Sequence, residues 1–121
     1  MTTQQVADRY YELAKQLKWM EIQEELYGQD IVNKEPVHAL AMGIPTLTIG
    51  LDAVKAKGEA RRKMIEEIHE QECSKPVTGG KFFSISMSRD VTFKGKPRVK
   101  LEEIAVFEVN NGKIVSEQFF Y

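Results

Sequence analysis

Three segments of the sequence each set one ionisable residue into a row that otherwise reads as core. With side chains alternating at period two, Phe83, Ile85, Met87, Val91 and Phe93 share a face with Arg89, while Ser84, Ser86, Ser88, Asp90 and Thr92 lie opposite. Val99, Leu101, Ala105, Phe107 and Val109 share a row with Glu103, and Val115, Phe119 and Tyr121 share one with Glu117. A charge left unpaired in a low-dielectric site is costly, so the expected arrangement is Arg89 held between the two carboxylates. Two readings follow. The trio is a structural ion cluster that fixes strand register, or it is the polar end of a ligand pocket. In the second case the environments of two carboxyls push their pKa values apart, leaving one as a base and the other as a protonated donor.

Further candidates gather around that pocket. Glu35 immediately precedes Pro36 and reads either as a solvated strand end or, sharing a row with Ile31 and Asn33, as a pocket carboxylate with Asn33 as a second inward polar group. Trp19 reads either as a corner of the core or as a pocket wall, and Tyr10 falls within the apolar stripe of the first helix, where packing competes with a catalytic role. His38 sits in an apolar loop, as an ordinary loop residue or as part of the pocket rim. Met87, Phe107 and Phe119 complete the expected lining. His38 and His69 lack helical i, i+4 pairing and no Cys/His cluster exists, so no metal is expected. Gly79-Gly80 precedes a strand and not a helix, so no phosphate loop and no cofactor is expected either.

The elements that must position these groups read as follows. Val6, Tyr10, Leu13, Leu17 and Met20 recur at helical spacing behind Thr2 and Gln5, which have the form of a capping box. After a corner at Lys18-Trp19, Ile22, Leu26 and Tyr27 suggest a short helix closed at Gly28, and Ile31 to Glu35 a strand stopped by proline. Pro36 to Gly50 is too apolar for a solvated loop, and is expected to lie over something. Leu51 to about Ile65 reads as a third helix. Strands follow over about 67–77, 81–93, 99–109 and 113–121, with turns at Gly79-Gly80, Gly95-Lys96-Pro97 and Asn111-Gly112. Helices first and strands last argue for a single α+β domain over residues 1–121, with helices covering one face of a largely antiparallel sheet. Ile104 and Val106, with Ile114 and Phe120, fall on the opposite, outer face, which suits a homodimer.

Composition narrows the classes of partner. The chain has 121 residues, 42% hydrophobic and 29% charged, with a formal net charge of -1, so neither nucleic acid nor an anionic membrane is an expected partner. Arg61-Arg62-Lys63 is flanked by Glu59, Glu66 and Glu67 and reads as a solvated helix face. Met1 to Leu17 carries Asp8, Arg9, Glu12 and Lys15, so it reads as neither signal peptide nor membrane span. A single cysteine, Cys73, fits a reducing compartment, and the cytoplasm is the expected location.

The order of elements, the strand ending Glu35-Pro36, the run Gly50-Leu-Asp-Ala-Val-Lys-Ala-Lys-Gly58 and the close Val106-Phe-Glu-Val-Asn-Asn-Gly-Lys-Ile-Val115 together resemble the SnoaL-like domains of the nuclear transport factor two and ketosteroid isomerase superfamily. The resemblance spans nearly the whole chain and implies a curved sheet wrapped round a helix as a cone, enclosing a pocket, often in a dimer. It places Tyr10, after Arg9, at the isomerase's oxyanion-donating tyrosine and Glu35 at its general base. The isomerase's protonated acid falls on Ala105, where the pattern breaks; Glu103, one inward position earlier, is the substitute. The implied function is acid/base catalysis by an isomerase, cyclase or hydratase-like enzyme on a small apolar carbonyl-bearing molecule, with Glu35, Tyr10 and Glu103 catalytic and Arg89 anchoring an acidic substituent. A non-catalytic ligand-binding domain and a dimeric assembly module are the alternatives.

Overall fold

The structure is a computed structural model and describes residues 1–121. Helix α1, Thr3–Lys15, begins with the expected capping box: Thr2 Oγ1 accepts from the Gln5 amide at 3.1 Å, and Gln5 Oε1 accepts from the Thr2 amide at 2.8 Å. It buries Val6, Ala7, Tyr10, Leu13 and Ala14. The stripe ends sooner than its spacing suggests, because Leu17 turns the chain with φ 58° and both Leu17 and Met20 are exposed. Helix α2, Trp19–Leu26, follows, and a bidentate Arg9–Glu25 pair at 2.5 and 2.9 Å ties the two helices together.

Strand β1 spans Tyr27–Lys34, so Tyr27 and Gly28 open a strand where a helix end was expected. The cause is tertiary: Tyr27 pairs with Ile114 in a parallel ladder, and a Cβ on Gly28 would lie 3.5 Å from the Ile114 carbonyl oxygen. The apolar stretch after Pro36 is a 3-10 turn at Val37–Met42 and an edge strand β2, Leu47–Ile49, which pairs antiparallel with β1. Gly50, at φ 96° and ψ 146°, launches helix α3, Leu51–Lys63, from a backbone conformation that only glycine adopts without strain. The remaining strands are β3 (Ile65–Cys73), β4 (Val77–Gly79), β5 (Phe82–Phe93), β6 (Val99–Asn110) and β7 (Lys113–Phe120). The single strand expected over 67–77 is two, β3 and β4. Pro76 between them has no N–H to donate to a ladder, and both pieces pair with β5.

The strand order is β2-β1-β7-β6-β5-β3, with β4 beside β5, and only the β1–β7 pair is parallel. The sheet is open and curved. The α1 helix packs against β3 to β6 and α3 against β1 to β3, so the core lies between helices and concave face. At its centre Phe83 and Phe107 stack at 4.7 Å, and the Tyr10 ring lies 4.7 Å from Phe107. Strand alternation holds on β5 and β6: Phe83, Ile85, Met87, Val91, Ala105, Phe107 and Val109 are buried.

On β7 the alternation fails midway. Glu108 pairs with Ser116 but Val109 pairs with Ile114, which leaves Val115 as the extra residue of a bulge. The bulge turns Ile114 inward, fully buried, although strict alternation had put it on the outer face, and still leaves Glu117 inward.

Candidate active site

A cavity of ≈ 400 Å³ opens between α1, α2, α3 and the concave face of the sheet. Its size is that of a small-molecule site. Strand register sets which side chains enter it. Across β6, β5 and β3, Leu101, Arg89 and Gln71 form one row, and Glu103, Met87 and Cys73 form the next. Phe119 enters from β7 beside Ala105, and Glu117 enters beside Phe107. From β1 come Tyr27, Asn33 and the following Glu35, and from α3 come Val54, Lys57, Gly58 and Arg61, one face of the helix.

Tyr10, Glu35 and Glu103 line this cavity, together with Trp19, Asn33, Met87, Arg89, Glu117 and Phe119. Two expected members do not. Phe107 is 0% exposed within the aromatic core behind it, and His38 is exposed on the 3-10 turn, where its ring meets Tyr121 edge-on at 5.3 Å.

Arg89 is not held between two carboxylates. Glu117 lies opposite Phe107, which lies opposite Phe83, six residues along β5 from Arg89 and so about 20 Å away measured along the strand. Glu103 sits diagonally from Arg89 and pulls on it only at longer range. The guanidinium rests over the Trp19 ring at 5.6 Å instead, and its Nε is buried without a hydrogen bond. Burial pushes the Arg89 pKa down, against the pull of Glu103.

Glu117 finds its partners on β1. The Tyr27 hydroxyl donates to Oε2 and Asn33 Nδ2 donates to Oε1 at 2.8 Å. Lys57 Nζ in turn donates to Asn33 Oδ1 and lies 3.7 Å from Glu35 Oε2, while the Tyr121 hydroxyl donates to Glu35 Oε1 at 3.2 Å. One chain of polar contacts thus runs Tyr27, Glu117, Asn33, Lys57, Glu35, Tyr121, from the sealed floor of the cavity to its mouth. Burial raises the Glu117 pKa, opposed by the two hydrogen bonds and by Lys57. Burial likewise raises Glu103, opposed by Arg89, and lowers Lys57, opposed by Glu35 and Glu117. Tyr10 and Tyr27 are pushed well above the ordinary phenol value, first by burial and then by the charge of Glu117. Tyr121 rises to about 12 by burial, with Glu35 adding to it.

Tyr27, Lys57 and Gln71 belong to this constellation and were not singled out from the sequence. The period-two row Glu35, Asn33, Ile31 extends back to Tyr27, and Val54, Lys57, Gly58 and Arg61 recur at helical spacing. Both signals were present. No group of three or more His, Cys, Asp or Glu side chains is placed to hold a metal ion, and no helix is long and apolar enough to cross a membrane.

The model of the SnoaL-like domain family matches residues 1–121. The chain belongs to the SnoaL-like domain family. Among solved structures, this SnoaL-like domain is similar to a candidate SnoaL-like polyketide cyclase from Mesorhizobium loti, also described as a carbohydrate phosphatase, at 29% identity and TM-score 0.91 over 100% of both chains. It shares the fold of an NTF2-like protein of unknown function from Burkholderia pseudomallei (19% identity, TM-score 0.79, 100% of this chain and 92% of that one). The same is true of TerC, crystallised with polyporic acid (12% identity, TM-score 0.78, 99% and 92%). No curated protein matches the chain by sequence. The family match agrees with the SnoaL-like resemblance of the sequence, and the curved α+β sheet agrees with the expected fold class.

Proposed function

We propose that this SnoaL-like domain is an acid/base catalyst that works on a small, mostly apolar, carbonyl-bearing molecule with its own side chains. The observation that carries the reading is the unequal treatment of two carboxyls facing one cavity. Glu35 has an ammonium 3.7 Å away and a phenol hydroxyl donating to it, which hold its two oxygens in place at the cavity mouth. Glu103 makes no hydrogen bond or close ion pair, and its burial, with Glu35 adding to it, outweighs the longer-range pull of Arg89, Arg61 and Lys57, which holds its pKa above the ordinary carboxyl value and favours the neutral acid. Glu35 takes a proton from the carbon next to the substrate carbonyl; the electron pair moves onto the carbonyl oxygen, which accepts hydrogen bonds from protonated Glu103 and the Tyr10 hydroxyl. Return of the proton at another carbon completes an isomerisation, whereas attack of the enolate carbon on a second carbonyl of the same molecule closes a ring, the oxygen of that carbonyl taking back the proton held by Glu35. The similarity to the candidate cyclase of Mesorhizobium loti supports the second outcome.

Glu35→Gln keeps the shape of the site and removes the base. With a substrate found by screening small ketones, kcat is expected to fall roughly 10²–10⁴-fold while ligand affinity changes little. Unchanged turnover rejects Glu35 as base, and native mass spectrometry showing a retained small molecule in a turnover-inactive wild type favours the binding-domain alternative.

A second, compatible reading concerns assembly. Ile104 and Phe120 stand opposite each other in the β6–β7 register on the outer face, 52% and 50% exposed, while Val106 is half-buried. We infer a homodimer through this outer face.

A further inference from the structure

The mechanism leaves one end of the cavity unused. Arg89, on β5, lies opposite Gln71 of β3 in the antiparallel register, and both line the cavity. Arg89 Nε and Gln71 Oε1 are the two buried side-chain polar atoms of the molecule that make no hydrogen bond. Buried polar groups are nearly always paired, so two orphans on neighbouring strands facing one cavity mark a place where a ligand completes the pairing. The Trp19 ring lies 5.6 Å from the guanidinium and braces it. Four cationic side chains, Lys57, Arg61, Arg62 and Arg89, line the cavity with three carboxyl groups, Glu35, Glu103 and Glu117, and Lys57 is already engaged by Asn33 and Glu35.

We propose that Arg89 and Gln71 form a recognition subsite for a carboxylate group of the substrate. A planar carboxylate takes two parallel N–H bonds from a guanidinium, one of them from Nε, in the geometry that a point charge such as lysine cannot offer. The Gln71 amide, turned about its last bond, presents its nitrogen as a further donor to the same group, while the carboxylate supplies the acceptor that Arg89 Nε lacks. The substrate class that follows is a small keto acid, its apolar body against Trp19, Leu101 and Met87 and its reacting carbonyl toward Glu35 and Glu103. The inference rests on the reading that the cavity takes a small molecule, and not on Glu35 acting as the base.

The test compares naphthalene-2-carboxylate with its neutral isostere naphthalene-2-carboxamide by isothermal titration calorimetry, in wild type, Arg89→Met, Arg61→Met and Glu35→Gln. Wild type, Arg61→Met and Glu35→Gln are expected to prefer the carboxylate roughly 10-fold or more, the scale of a charge-assisted hydrogen-bond pair, and Arg89→Met is expected to bind the two probes equally. Retained carboxamide binding in Arg89→Met shows that the variant is folded; if it is not retained, Arg89→Gln takes its place with the same expectation. Equal binding of the probes by wild type, no binding of either, survival of the preference in both Arg89 variants, or its loss in Arg61→Met overturns the proposal. The preference surviving in a Glu35→Gln protein whose turnover is undiminished upholds the subsite and rejects the catalytic base.

Discussion

Tyr27→Phe removes one atom, the hydroxyl that donates to Glu117 in the floor of the cavity. The residue is 7% exposed and its partner 4%, so no solvent replaces the lost donor and Glu117 keeps only the Asn33 amide. A hydrogen bond to an ionised group contributes about 1.5–3 kcal/mol, against about 0.5–1.5 kcal/mol for a neutral pair. The cost therefore depends on the protonation of Glu117. Its folded pKa lies above its ordinary value of 4.5 because burial outweighs its hydrogen bonds. The folded protein thus binds the proton more tightly than the unfolded chain. This group's contribution to stability is full below the ordinary value and is lost as pH rises through the folded one. Removing Tyr27's hydroxyl removes a bond that favoured the anion, so the folded pKa rises further and the loss continues to higher pH. Urea denaturation followed by circular dichroism is expected to give a destabilisation of about 0.5–1.5 kcal/mol near pH 4, growing to about 1.5–3 kcal/mol at pH 8. In a Glu117→Gln background the growth with pH is expected to vanish. A cost that is the same at both pH values, or one that still grows with Gln at position 117, refutes the assignment of the hydroxyl to the Glu117 anion.

Other expectations are more direct. Gly50→Ala forces a Cβ onto a backbone at φ 96° and ψ 146° and is expected to cost about 1–3 kcal/mol in urea unfolding; a cost under about 0.5 kcal/mol means that the entry to α3 relaxes freely. Ile104→Glu with Phe120→Glu puts two carboxylates opposite each other on the outer face and is expected to shift the protein from dimer to monomer in analytical ultracentrifugation with unchanged circular dichroism. A wild type that is monomeric at all concentrations excludes that interface.

Much of the fold was legible because it follows from local chemistry. Thr2 and Gln5 announce the start of α1, and the apolar rows of β5 and β6 obey the pleat, so Arg89 and Glu103 were placed on the concave face from spacing alone. The misreadings share a cause in contacts between distant segments. Tyr27 looks like the last apolar residue of a helix until β7 offers it a parallel partner. Arg89, Glu103 and Glu117 share a face, but sharing a face says nothing of separation along it. Register puts Glu117 three rows from Arg89, and so gives the carboxyl to Tyr27 and Asn33 and leaves the guanidinium to Trp19. Ile114 was misassigned because a bulge leaves no compositional mark: Val115 is as good a regular strand residue as its neighbours.

That extra residue makes the site tolerant of losing one residue at this point. Shortening β7 by one residue at Val115 restores an uninterrupted pleat in which Ile114 and Glu117 still point the same way. Relatives that lack one residue at this point would keep the inward acid while losing the local bend, and would hold a flatter, wider floor beneath the same chemistry.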